Sequence, residues 1–336
     1  MSKLLDRLLK TGAIKNAYIL SESPSFNNKD IIPTDLPILN AAFSGSLKGG
    51  ICSGVTILAG PSQSFKSMLG LYTMKAYFDK HPDAFALFYD TEAGINQSYL
   101  DAIGIDPKRI VQLCPKHLEE MKFDVHKKLS ALEDDDHVFV FIDSLTNLSS
   151  NQDIENANKE NMAKNMQRQQ VVRDFLRLMS SHLFQRNLPA VCINHTYQTQ
   201  EIYSKTVVSG GTAVMYVANQ VFIITKSVAK DGDEVVGNDF NIRVEKSRFI
   251  NAGSKFSFRV IRGKGIQRYS GLFDLAMEAG IVSEVTKGWY SAPGYEKARK
   301  KEIEGDKDLW ETLIADDSFD AFVQHKYQLR MDADDE

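Results

Sequence analysis

Residues 55–67 read V-T-I-L-A-G-P-S-Q-S-F-K-S. An apolar, β-branched run stops at Gly60 and gives way to a loop of mostly small residues, Pro61, Ser62, Gln63, Ser64 and Phe65. The loop ends in Lys66 and Ser67, where a helical pattern sets in and continues through Met68. Backbone N–H groups at a helix start attract an anion, a lysine there reaches the outer phosphates, and a hydroxyl beside it can ligate Mg²⁺. The segment is therefore a phosphate-binding loop, and its ligand a nucleoside triphosphate. One residue departs from the usual pattern, because Phe65 stands where a glycine normally precedes the lysine. A plain strand, turn and helix would share this composition, so the remaining chemistry must come from elsewhere in the chain.

V-F-V-F-I-D-S at 138–144 supplies part of it, since Asp143 closes a buried strand at the edge where ligands of parallel sheets gather and can order a metal shell. A-L-F-Y-D-T-E at 86–92 ends in carboxylates as well. Glu92 is the candidate general base for activating water, and Asp90 is equally suited to a backbone or to a metal-bound water. A fourth strand, A-V-C-I-N-H-T at 190–196, delivers Asn194 and His195 to the same edge, ahead of a polar loop from Thr196 to Gly211. Side chains there can sense a terminal phosphate and move the loop behind them.

These positions require an α/β scaffold. Apolar strands at 55–59, 85–90, 137–142 and 189–194 alternate with helical patterns at 66–79, 118–132 and 160–186, which implies a parallel sheet covered by helices. Val172, Phe175, Leu176, Met179 and Leu183 give the apolar stripe of a helix on that sheet. Strands at 219–225, 239–246 and 255–261 are joined by turn-rich pieces and are expected to be antiparallel, extending one side. The expected fold is thus an α/β P-loop core with a mostly parallel central sheet, antiparallel additions, an N-terminal helix and a small C-terminal α/β module. Its divisions are 1–34 (helix and linker), 35–269 (core), 270–330 (module) and 331–336 (acidic tail). The leucine-rich helix at 2–11 either docks on something else or folds back on its own domain.

With 336 residues, 43% of them hydrophobic and 25% charged, the chain can bury a sizeable core. No apolar run approaches the ~20 residues of a membrane span, so a soluble intracellular protein is expected. Three widely spaced cysteines, Cys52, Cys114 and Cys192, suit reduced thiols rather than a disulfide frame or a zinc site. A net charge of −4 excludes clinging to nucleic acid through an overall positive field, but not local basic surfaces. Two such clusters stand out: Lys159, Lys164, Arg168, Arg173 and Arg177 on one helix, and Lys255, Arg259, Arg262, Lys264 and Arg268 in a late strand region.

Taken in order, G-P-S-Q-S-F-K-S, F-Y-D-T-E, V-F-I-D-S, I-N-H-T with a loop ending in Gly210-Gly211, and V-E-K-S-R resemble the RecA recombinase family. The likeness is greatest to its UvsX-type branch from T-even bacteriophages, where a similar Phe precedes the loop lysine. It extends through G-L-F-D-L-A-M-E-A-G-I-V and G-W-Y near the C-terminus. The resemblance implies ATP held with Mg²⁺ by residues 60–68, a metal shell ordered by Ser67 and Asp143, water activated by Glu92, and adenine stacked on Tyr99. His195 stands where the bacterial proteins have a glutamine that links ATP to DNA. Lys246 and Arg248 match a pair that reaches the ATP of a neighbouring subunit. DNA would lie along residues 147–164, including Lys164, with Arg168 following, and along Thr196, Lys205, Gly210 and Gly211.

The implied activity is a DNA-dependent ATPase that forms a helical filament on single-stranded DNA, pairs it with homologous duplex and exchanges strands. A recombination mediator and a single-strand-binding protein are the implied partners, and the host cytoplasm the implied location if a phage encodes the chain. Two rivals share the motifs: a ring helicase, which would form closed hexamers on DNA, and a DNA-coating module lacking DNA-stimulated turnover.

Overall fold

The computed structural model describes residues 3–13, 17–22, 31–151, 153–154, 166–199 and 205–329. Lys164, Lys159 and the acidic tail lie outside the described residues. A short helix, α1 (Lys3–Lys10), comes first and buries none of its residues. The core opens with α2 (Pro37–Ser44), all of it buried.

The central sheet is built on β1 (Gly54–Gly60), which is buried throughout. A helix, α3 (Lys66–Lys80), leads to β2 (Phe85–Asp90); α4 (Gln97–Ile103) and β3 (Ile110–Leu113) follow. Then come α5 (Leu118–Ser130), β4 (Val138–Asp143), α6 (Met166–Arg186) and β5 (Pro189–Gln198). Strands β3, β2, β4, β5 and β1 lie side by side in that order, all parallel. The run V-F-V-F-I-D is apolar without alternation because β4 is covered on both faces. α3 lies close on one face: a Cβ on Gly70 would fall 2.3 Å from the Phe141 ring. The stripe Val172, Phe175, Leu176, Met179 and Leu183 of α6 is buried on the other face.

Beyond β1 the sheet continues through β7 (Gln220–Asp231), β8 (Glu234–Ser247), β9 (Lys255–Ile261) and β10 (Gly265–Ile266), after a short strand β6 (Thr206–Val208) and helix α7 (Thr212–Val217). The wing's three long strands are antiparallel, each to the next, as expected, and only its junction with the core differs. β7 is parallel to β1, while β8, β9 and β10 are antiparallel to their neighbours. The strands of the β7–β8 hairpin are also longer than the apolar runs at 219–225 and 239–246, since backbone pairing continues past the buried part into polar residues. A second correction concerns residues 196–211. Thr196, Tyr197 and Gln198 pair with Val208, Val207 and Thr206, so the expected loop begins and ends as an antiparallel ribbon. β-Branched and aromatic residues favour that form.

After the wing come α8 (Leu272–Glu278), a three-stranded sheet of β11 (Ser283–Thr286), β12 (Trp289–Ala292) and β13 (Tyr295–Ala298), and helices α9 (Lys300–Gly305), α10 (Lys307–Ala315) and α11 (Asp317–Tyr327). Leu272, Phe273, Trp310, Phe319 and Val323 share one hydrophobic core with Ile38, Phe43 and Phe258. The buried Asp320 of α11 accepts from Ser46 Oγ at 2.9 Å and from the Leu47 N–H at 2.6 Å, stitching the last helix to the loop after α2. No described helix is long and apolar enough to cross a membrane.

Candidate active site

Pairing register sets the site. Gly60 at the end of β1 pairs with His195 of β5, and Asp90 at the end of β2 pairs with Asp143 of β4. The phosphate loop and all the expected acidic and polar residues therefore meet at one edge, the carboxyl edge of the parallel strands, as such ligand sites require.

The loop keeps the shape that its sequence only half matches. Gln63 (φ 59°) and Phe65 (φ 68°) both hold left-handed backbones, a conformation from which anion-binding concavities of successive N–H groups are built. A residue with a Cβ costs about 1–3 kcal/mol in that region. At Phe65 the ring lies 4.9 Å from Phe240 and 5.9 Å from Phe258, and aromatic pairs contribute about 0.5–1.5 kcal/mol each beyond their burial. The two terms are of equal size, so packing offsets what glycine would have avoided. Gly60 has no such freedom, because a Cβ there would sit 2.3 Å from the Ile224 carbonyl oxygen. The Lys66 ammonium donates to the Pro61 carbonyl at 2.7 Å and lies across the loop. Burial pulls its pKa below the usual lysine value, against the pull of Asp143 and Glu92.

Asp143 is buried, and its Oδ1 has no hydrogen-bond partner. Burial pushes its carboxyl up to about 6, opposed by a hydrogen bond with Ser67 and by Lys66, and reinforced by Glu92 and Asp90. An unpaired buried oxygen next to a serine hydroxyl at a helix start is a fitting donor set for a hard divalent cation. Among the described residues no group of three His, Cys, Asp or Glu could hold a metal alone, so phosphate oxygens and water would complete the shell.

Glu92 accepts from Ser144 Oγ at 2.5 Å and lies 3.0 Å from His195 Nε2, both through Oε1. Burial pushes its pKa up, but Ser144, His195 and Lys66 together outweigh this and hold it below the usual glutamate value. Asp90 takes the backbone role left open to it. Its Oδ1 accepts from the Glu92 and Ala93 N–H groups at 3.2 and 2.7 Å, and its Oδ2 accepts from Gln112 at 2.8 Å. Asn194, fully buried, donates to the Ser209 carbonyl and accepts from the His195 N–H. The strand end carrying His195 is thus tied to the segment leading into Gly210 and Gly211.

Other expected residues stand apart from this cluster. Tyr99 is exposed on α4, a helix lying against α3. The Arg168 guanidinium turns inward and donates to the carbonyls of Thr146 and Leu148, bracing the segment after β4 rather than facing solvent. Lys205 is exposed and Thr196 half-buried, on the ribbon. Lys246 donates to the Met215 carbonyl at 2.5 Å, and Arg248 lines a cavity of about 300 Å³ with Ser53, Gly54 and Arg177. In the late basic cluster, Arg259 pairs with Asp239 and Arg268 with Glu311. Sequence reasoning missed Ser144, although it directly follows Asp143, because a serine after a strand carries no signal of its own.

Fold and cluster together define a P-loop protein built to bind and hydrolyse a nucleoside triphosphate. A family model for the RecA N-terminal domain matches residues 23–267, and one for the C-terminal domain of the bacteriophage T4 recombination and repair protein matches 269–323. The recombination and repair protein of Enterobacteria phage T4 is 40% identical over 339 residues, spanning 98% of this chain and 87% of that protein. Protein RecA of Streptomyces rimosus is 26% identical over 304 residues, 89% and 76% of the two chains. The crystal structure of the RadB recombinase superposes with a TM-score of 0.48 at 19% identity, covering 67% of this chain and 94% of that one. The chain belongs to the RecA family of recombinases.

Proposed function

We propose that this protein is an ATP-dependent recombinase that assembles head to tail on single-stranded DNA, pairs it with homologous duplex and exchanges the strands. As a RecA-family member it is a DNA-dependent ATPase of recombination and repair. The loop from Gly60 to Met68 holds the triphosphate of ATP, with Lys66 on the outer phosphates and Tyr99 near the base. Ser67 and Asp143 hold Mg²⁺, which when bound neutralises phosphate charge. Glu92 orients and deprotonates the attacking water.

The observation that carries the reading is the Glu92–His195 contact. It joins the base at the phosphate edge to the root of the β5–β6 ribbon, where Thr196, Gly210 and Gly211 lie, with Lys205 farther out along it; these four are the DNA-facing candidates. A group that feels the terminal phosphate there shifts the ribbon, so hydrolysis releases what ATP binding favours. Arg168, braced on its own chain, contributes by shaping the neighbouring segment that runs toward Lys164. Loading onto strands covered by a single-strand-binding protein, with a recombination mediator, belongs to the same proposal. The exposed Leu8 of α1 fits docking on the next copy.

The test is a D-loop assay with and without Mg²⁺-ATP, run beside electron microscopy on single-stranded DNA with a slowly hydrolysed analogue. Wild type should form D-loops and open filaments. Glu92→Gln should lose ATP turnover by about 100-fold or more, the scale of a lost general base, while still binding DNA. Closed hexameric rings would favour a helicase instead, and wild type without DNA-stimulated ATPase would leave only a coating module.

A further inference from the structure

The phosphate loop is fastened to the antiparallel wing by one side chain. Phe65 holds its left-handed backbone directly before Lys66, at the N-cap of α3. Its half-buried ring meets Phe240 of β8 and Phe258 of β9. Those two residues sit opposite each other in the β8–β9 ladder and stack at 5.4 Å. The ring and the backbone angle are coupled geometrically. Lifting the ring out of the aromatic pair would free φ to leave the left-handed region, and the turn that aims Lys66 and the following amides would open with it. A glycine in this place would permit the same turn without enforcing it.

We propose that Phe65 is a positioning residue: packed against the stacked pair Phe240 and Phe258, it locks the phosphate loop in its anion-cradling shape and thereby sets the affinity for the triphosphate. It acts through Lys66 and the loop amides and takes no part in the reaction. The contact also joins the loop to β8, the strand that ends just before Arg248. The proposal rests on the reading of this loop as the ATP site.

Steady-state ATPase of the full chain on saturating single-stranded DNA tests it, using Phe65→Gly, Phe240→Ala, and the conservative Phe65→Leu and Phe240→Leu. Phe65→Gly and Phe240→Ala should each raise KM for ATP about 5–10-fold, a loss of about 1–1.4 kcal/mol of binding, with kcat changed less than about twofold. The leucine variants should restore most of the affinity. An unchanged KM in Phe65→Gly would overturn the proposal, since the ring would then be mere core filling. Should that variant fail to fold, Phe240→Ala decides, because it leaves the loop sequence intact. A fall in kcat at constant KM would also refute it. Lys66→Ala separates the underlying reading: if it hydrolyses ATP as wild type does, the loop is not the ATP site and both ideas fall.

Discussion

Asp143 is buried with its charged form disfavoured, partly offset by Ser67 and Lys66. Its carboxyl is raised to about 6, some two units above an ordinary aspartate, which corresponds to about 3 kcal/mol against the charged form at neutral pH. One of its oxygens is buried without a partner. Asp143→Asn should therefore make the nucleotide-free protein more resistant to urea, by about 1–3 kcal/mol, while ATPase collapses. A lower urea midpoint in the variant would show that the carboxylate is already balanced by Ser67 and Lys66. The same trade holds at Phe65, where strain at the loop is offset by packing. Both residues were marked by the sequence as unusual or acidic; neither its strain nor its solvation could be read there.

Two helices on the far face of the sheet carry a titrating contact. His126 of α5 and His182 of α6 meet at 2.9 Å through Nδ1 and Nε2. Burial, then His126 and Arg186, hold His182 below the usual histidine value, so the folded state favours its neutral form. The unfolded chain takes up that proton near pH 6.5. The contribution is therefore complete above about pH 6.5 and is lost as pH falls toward the lower folded value. Urea midpoints at pH 7.5 and 5.5 should differ less in His182→Gln than in wild type. An equal difference in both would remove this pair as a source of acid sensitivity. The pair was invisible in the sequence because its members lie 56 residues apart on separate helices.

Across the whole molecule, the two halves of the proposed ATP site stand at opposite ends of one strand. Gly60 ends β1 at the phosphate loop, whereas Arg248 lines a cavity with Gly54, where β1 begins. Seven residues of strand span about 20 Å, too far for Arg248 to serve its own loop. A nucleotide gripped by both must lie between two copies. Arg248→Ala and Lys66→Ala should each be nearly inactive alone, yet a mixture of the two should recover measurable DNA-stimulated ATPase, because mixed interfaces pair an intact loop with an intact arginine. No recovery from the mixture, with filaments still forming, would confine the site to one chain.

The order of motifs determined the family, the parallel core and the gathering of Lys66, Glu92, Asp143 and His195 at one edge, because strand ends and loop residues are local features with strong patterns. β3 and α4, only four and seven residues long, were too short to show a period. The parallel partner of β7, the pairing of 196–198 with 206–208 and the burial of Trp310 in the common core depend on which segments meet. So do the inward turn of Arg168 and the aromatic packing of Phe65. Such contacts join residues far apart in the chain, and their energies arise only when packing removes water between them, which no local pattern encodes.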